Sequence, residues 1–143
     1  MLFRSNKNIN NYIKNNKRTY FNSKYKFNYN DWFSENIVVW EKIVNKITEI
    51  NYLEIGSFEG RSTVFIKELD NLKYLMAIDT FQGSDEHKDI NFDKVYENFK
   101  YNINLRTKND DKKKINFLKI SSDKFFKNNK TLLIIVFIFA FRS

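Results

Sequence analysis

The stretch YLEIGSFEGRST, residues 52–63, is the part of the sequence that decides how this chain folds. Its first residues are apolar and typical of a buried strand, and Gly56 and Gly60 follow before a predicted helix that starts near Arg61. Glycine permits a tight turn and lets a ligand approach the backbone, while a helix start offers free N–H groups and a positive dipole end. Because ligands of open α/β sheets bind beyond the carboxyl ends of the strands, we predict a ligand site at this turn.

The spacing of apolar residues outward from this stretch predicts alternating helices and strands. The predicted helices cover residues 35–49, a segment from near Arg61 through Leu72, a segment from Phe92 through Ile103, and residues 122–128, which Ser122 caps. The predicted strands cover residues 51–55, 74–79, 115–120 and 132–141, and residues 106–114 form a polar loop. This alternation predicts an α/β fold over residues 31–143: a partial doubly wound, Rossmann-like parallel sheet of about four strands with right-handed crossovers.

Residues 1–30 form a polar arm that is rich in Asn and Lys, with aromatic residues interleaved. Such a segment could bind single-stranded nucleic acid, and the formal charge of +8 permits the same alternative. We favour a loosely packed, flexible leader, with order beginning near Asp31. The chain is crowded with residue types encoded by A and T, and this bias accounts for much of the lysine without a nucleic-acid partner.

The residue types also exclude several classes of site. The chain has no Cys, which excludes disulfides and thiolate zinc sites and favours a cytoplasmic location. His87 follows Asp85 and Glu86, where a metal site or a general base is one interpretation, but adjacent residues converge poorly on one ion. We therefore predict a solvated loop and no metal. The apolar run 132–141 is too short to cross a bilayer, so we predict no membrane contact.

The loop after the first strand is informative about the ligand. A dinucleotide fingerprint requires G-x-G-x-x-G, whereas this loop has Glu54 where the first Gly would be and Gly60 too late for the motif. A carboxylate there repels a pyrophosphate and suits a ligand that carries an amino group, such as S-adenosylmethionine. The second predicted strand ends at Asp79, 23 residues after Gly56, where an acidic residue can accept hydrogen bonds from ribose hydroxyls. All three glycines of the chain, including Gly83, fall in these two loops.

Taken together, residues 53–63 (LEIGSFEGRST) and 77–87 (AIDTFQGSDEH) resemble a family of class I S-adenosylmethionine-dependent methyltransferases. In that family a similar EIGSxEGRST loop is followed by a similar IDTFxGxxEH stretch, and the resemblance covers residues 32–126. It implies that the cofactor is S-adenosylmethionine and that these residues contact it: Glu54, Gly56, Ser57, Phe58, Gly60, Asp79, Thr80, Phe81 and Ser122 or Asp123.

The resemblance also implies a role for each position. Glu54 would orient the methionine end of the cofactor and the loop, and Asp79 would hold the ribose. Thr80 and Phe81 would line the adenine pocket, with Ser122 near the adenine edge. The methyl acceptor and the catalytic base are not identified by any residue pattern.

The predicted fourth strand departs from the family pattern. It normally ends in an acidic residue, whereas residues 132–141 contain none, and three later strands of the fold have no counterpart in the sequence. We therefore expect a truncated protein without methyl transfer, and a catalytically inactive remnant is an open alternative. Because this strand would form an apolar, uncharged edge of the sheet, we also expect self-association through it.

Overall fold

A computed structural model describes residues 24–83, 87–107 and 109–129, which form helices and parallel strands in alternation. The helices are α1 (Ile37–Val44), α2 (Arg61–Lys67), α3 (Phe92–Asn104) and α4 (Ser122–Asn128). The strands are β1 (Ile50–Ile55), β2 (Leu72–Asp79) and β3 (Lys114–Lys119), and short 3-10 turns occupy Ser34–Asn36 and Asp110–Lys112. The prediction of an α/β fold is confirmed.

The strands form one open parallel sheet in the order β1-β2-β3 within the described residues. Ile55 pairs with Ile78, and Asp79, at the end of β2, pairs with Lys119. Parallel pairing places the carboxyl ends of all three strands at one edge of the sheet, where α/β proteins bind ligands. The predicted fourth strand, residues 132–141, lies outside the described residues.

Buried side chains lie on both faces of the sheet, because successive side chains of a strand point in opposite directions. On one face Tyr52 and Leu75 join a large cluster with Trp40 of α1, Phe65 of α2 and Phe99 of α3. On the other face Leu53 and Ile78 pack against Phe125 of α4. The two clusters fix the sheet, and with it the relative positions of the strand ends.

Two predicted helix ends are wrong, because contacts with residues distant in the sequence decide them. Helix 35–49 is shorter because the Asn71 side chain donates to the carbonyl oxygens of Val44 and Ile47, at 3.1 and 2.6 Å, and so satisfies the helix end. The apolar spacing predicts Leu72 in a helix, but α2 ends at Lys67 and Leu72 pairs with Ile50 in the sheet.

The boundaries around β3 also differ from prediction. Ser121, which is extended, caps α4 by accepting from the Lys124 N–H, whereas Ser122 is the first helical residue. The predicted polar loop 106–114 contains the Asp110–Lys112 turn, and its last residue, Lys114, begins β3. The strand predicted at 115–120 therefore starts and ends one residue earlier.

The last residues of the predicted flexible arm pack on the domain. Tyr25 is buried, and its hydroxyl donates to Glu68. The backbone N–H of Lys26 donates to the Asn102 side chain at 2.8 Å, and the N–H groups of Asn28 and Tyr29 donate to Glu59. Packing therefore begins by Lys24, ahead of the boundary that we predicted near Asp31; residues 1–23 lie outside the described residues.

Candidate functional site

A cleft of about 710 Å³ opens at the carboxyl ends of β1 and β2. One wall comes from the loops that follow the two strands, and the other from the segment that leads into α1. The lining residues are Asp31, Trp32, Glu35, Asn36, Gly56, Phe58, Asp79, Thr80, Phe81, Gly83, His87, Phe92 and Val95. The cleft has the size of a small-molecule site and lies where parallel sheets bind their ligands.

The loop after β1 turns through left-handed backbone conformations. Gly56 has a φ of 81° and donates its N–H to the Ile78 carbonyl at 2.9 Å, which joins the loop to the neighbouring strand. Gly60 has a φ of 84° and precedes the first residue of α2. A β-carbon on Gly60 would lie 3.1 Å from Phe99 Cδ2, so this glycine lets α2 pack closely on α3. Gly56 lines the cleft, whereas Gly60 supports the loop from behind.

Asp79 connects the two strand-end loops. Its Oδ2 accepts the Phe58 N–H at 2.8 Å, and its Oδ1 accepts the Phe81 N–H at 2.6 Å. Phe58 and Phe81 have φ values of 51° and 52°, a conformation that is uncommon for aromatic residues. One carboxylate thus holds two strained turns against each other at the rim of the cleft, and such strain concentrates at functional sites.

Glu54 has a different environment from the one that we predicted for a ligand contact. Its side chain is fully buried, and its oxygens accept the hydroxyl groups of Ser62 and Thr63 at the start of α2. The Tyr52 hydroxyl donates to the same carboxylate at 3.4 Å. Burial raises the pKa of Glu54, and the donated hydroxyls oppose that rise. Glu54 is not among the residues that line the cleft, and its hydrogen bonds connect β1 to the start of α2.

The second wall of the cleft was missed in the sequence. Trp32 packs on Phe58, with ring centroids 5.0 Å apart, and on His87 at 5.6 Å. Asp31 accepts the N–H groups of Phe33 and Ser34 and lies 3.6 Å from the Arg61 guanidinium. An acidic residue beside an exposed Trp just before a helix was the available signal, but it gives no indication of which strand the segment faces.

The predicted cofactor residues divide into two groups by position. Gly56, Phe58, Asp79, Thr80 and Phe81 all line the cleft. The remaining four do not: Glu54 is buried near the end of β1, Ser57 and Gly60 are buried within the loop that follows it, and Ser122 lies in the first turn of α4. His87, which we predicted in a solvated loop, lines the cleft. Whether these residues contact a cofactor stays a prediction.

The charge of the cleft is opposite to that of the whole chain. The chain carries a formal charge of +8, whereas the charged side chains that line the cleft, among the described residues, are the carboxylates Asp31, Glu35 and Asp79. Arg61, 3.6 Å from Asp31, offsets part of this charge, and the remaining carboxylates attract cationic groups and repel phosphate. In the described part of the chain, no three potential metal-ligating residues cluster together, and no helix is long and apolar enough to span a bilayer.

Comparisons with protein-family models, with curated proteins and with solved structures found no match to this chain. The assignment of function therefore depends on the geometry of the cleft and on the sequence motifs that form it.

Proposed function

We propose that this chain binds S-adenosylmethionine in the cleft and is a class I methyltransferase-like protein with a Rossmann-like sheet. The observation that carries the proposal is Asp79, which holds the two strained phenylalanine turns and faces a cleft of about 710 Å³ at the strand ends. A carboxylate has about four lone-pair sites, and the two backbone bonds occupy two of them. Two remain for the vicinal hydroxyls of a ribose.

The electrostatics of the cleft support this cofactor over a dinucleotide. S-adenosylmethionine carries a sulfonium and an ammonium group, and both suit a cleft lined by Asp31, Glu35 and Asp79. The pyrophosphate of NAD would meet the same carboxylates without a lysine or arginine among the lining residues of the described chain. The ring of Phe81, buried beside the cleft, supplies an apolar surface for adenine.

The two walls suggest how methyl transfer would proceed. The strand-end wall would hold the cofactor, and the wall with Trp32 and Glu35 would close over the methyl group and the acceptor. Transfer by direct displacement at the methyl carbon depends mainly on the alignment of the two reactants. In this proposal the predicted fourth strand, residues 132–141, continues the sheet beside β1.

Isothermal titration calorimetry with S-adenosylmethionine, S-adenosylhomocysteine and NAD, run side by side, tests the proposal. We expect binding of the first two and weak or absent binding of NAD. Asp79→Ala should weaken the binding of S-adenosylhomocysteine by ~2–4 kcal/mol, because two charge-assisted hydrogen bonds to the ribose are lost. The matched control is Asp70→Ala, an exposed aspartate just before β2, at the opposite end of that strand.

Tighter binding of NAD than of S-adenosylhomocysteine would contradict the proposal, as would equal effects of the two substitutions. The experiment measures binding alone, so it distinguishes cofactor recognition from turnover. A labelled-methyl assay with candidate acceptors then separates an active enzyme from an inactive relative.

A further inference from the structure

Glu59 is a buried carboxylate in the loop after β1, and it is not among the proposed cofactor contacts. Its side chain is fully buried and accepts the N–H groups of Asn28 and Tyr29, at 2.8 and 3.0 Å. The Asn98 amide of α3 donates a third bond at 2.8 Å. A buried charge is costly unless it is well paired, so the three donors indicate a specific structural task.

The position of Glu59 connects the two walls of the cleft. Phe58, the preceding residue, lines the cleft and donates to Asp79. Tyr29, whose N–H Glu59 accepts, comes two residues before Asp31 and three before Trp32, which form the second wall. Glu59 therefore connects residues 28–29, which precede the second wall, to the loop after β1, which forms the first wall.

Other contacts also join residues 29–31 to the loop after β1 and the start of α2. The Arg61 guanidinium donates to the Tyr29 carbonyl at 3.3 Å and lies 3.6 Å from Asp31. The Tyr29 ring packs 6.0 Å from that of Phe58. These contacts hold residues 29–31 in place, while the carboxylate of Glu59 accepts the consecutive backbone N–H groups of Asn28 and Tyr29.

We infer that Glu59 is a positioning residue that sets the separation of the two cleft walls and thereby the affinity for the cofactor. In its cofactor part the inference rests on the proposed function. Glu68 offers a built-in comparison, because it holds the same segment at its far end, through the Tyr25 hydroxyl and the Lys24 ammonium. If Glu59 only attached residues 24–29 to the domain, substitutions of Glu59 and Glu68 would have the same effect on the cleft.

The two tryptophans of the chain provide the readout. Trp32 lies on the second wall, whereas Trp40 is buried in the core against Tyr52. With 5-fluorotryptophan incorporated, each gives its own ¹⁹F resonance, which Trp32→Phe assigns. We expect Glu59→Gln to shift the Trp32 resonance and to leave the Trp40 resonance unchanged. We also expect it to lower the affinity for S-adenosylhomocysteine about tenfold, an effect comparable to the loss of one charge-assisted hydrogen bond. Glu68→Gln should leave the Trp32 resonance and the affinity unchanged.

Asn98→Ala serves as a milder variant in case Glu59→Gln does not fold, because it removes one of the three donors to Glu59, together with the bond of the Asn98 amide to the Asn28 side chain at 2.6 Å. We expect the same shift of the Trp32 resonance with a smaller loss of affinity. A folded Glu59→Gln protein with wild-type affinity and an unmoved Trp32 resonance would overturn the inference, and so would equal effects of Glu59→Gln and Glu68→Gln. If the parent protein binds no S-adenosylhomocysteine, the proposed function fails, but the Trp32 shift in the free protein still decides whether Glu59 positions the wall.

Discussion

Glu54 and Asp79 are two carboxylates near the ends of neighbouring parallel strands, and they differ in almost everything else. Glu54 is fully buried and accepts two side-chain hydroxyls from the start of α2. Asp79 is partly exposed, lines the cleft, and accepts two backbone N–H groups. The first carboxylate joins a strand to a helix, while the second joins two loops and faces the cavity.

The register of the sheet explains the difference. Glu54 pairs with Ala77, two residues before Asp79. Because a strand rises about 3.3 Å per residue, Asp79 lies roughly 6–7 Å closer to the open edge of the sheet. The sequence motif shows that Glu54 lies just before the glycine turn. How far its side chain lies below the open edge of the sheet depends on the pairing of the strands, which the motif does not give.

The largest expected effect is on stability. Glu54→Ala should lower the free energy of unfolding by ~2–4 kcal/mol, because it leaves the buried hydroxyls of Tyr52, Ser62 and Thr63 without their acceptor and opens a cavity. Asp79→Ala should cost less than half as much, since the lost bonds are partly offset by release of the strained turns at Phe58 and Phe81. Urea denaturation of both variants measures the two losses.

Equal losses in that experiment would mean that Asp79 holds the fold as Glu54 does, and the distinction between the two carboxylates would disappear. Glu54→Gln is a useful control, because its side chain keeps the shape and can still bond the hydroxyls of Ser62 and Thr63. It should retain most of the wild-type stability at neutral pH.

Gly60 and Gly83, which follow Glu54 and Asp79 along the chain, should also differ, one affecting mainly stability and the other mainly cofactor affinity. Gly60→Ala should lower stability by ~1–2 kcal/mol, because a left-handed φ of 84° strains any other residue and the new Cβ meets the buried Phe99 at 3.1 Å. At Gly83 the new Cβ would lie 2.0 Å from Phe92 Cζ, so the ring, which lines the cleft, must move. Gly83→Ala should therefore change S-adenosylhomocysteine affinity more than Gly60→Ala does, as calorimetry and thermal melts of the two variants would show. Loss of affinity mainly in Gly60→Ala would contradict this division.

The sequence predicts the elements of this fold better than it predicts the environment of the site. The strand ends at Ile55 and Asp79 and the helix start at Arg61 are confirmed, because apolar runs and glycines mark them locally. The burial of Glu54 and the contacts of Glu59 with residues 28–29 depend on pairings between distant segments, which no local pattern encodes. The same holds for the second wall of the cleft, since nothing in residues 31–36 indicates that Trp32 packs on Phe58.

The smallest expected effect, and the most specific one, is the pH dependence that Glu54 gives to stability. Burial raises the pKa of Glu54 in the folded protein above its ordinary value of 4.5. Below that ordinary value the carboxyl is neutral in both states, so its ionisation has no effect on folding. As the pH rises from 4.5 through the raised pKa, the unfolded chain ionises more readily than the native one, and the contribution of Glu54 to stability falls. Above the raised pKa the difference is constant.

Urea denaturation of the wild type and Glu54→Gln across this pH range isolates the contribution. We expect the stability of the wild type relative to Glu54→Gln to decrease with rising pH and then level off, by less than the loss predicted for Glu54→Ala. Glu49→Gln corrects for the general effect of removing one negative charge, because Glu49 is exposed and paired only with Lys73 in the described contacts. A relative stability that rises with pH would mean that the hydroxyls of Ser62 and Thr63 outweigh burial, so that Glu54 holds α2 chiefly as a charged acceptor.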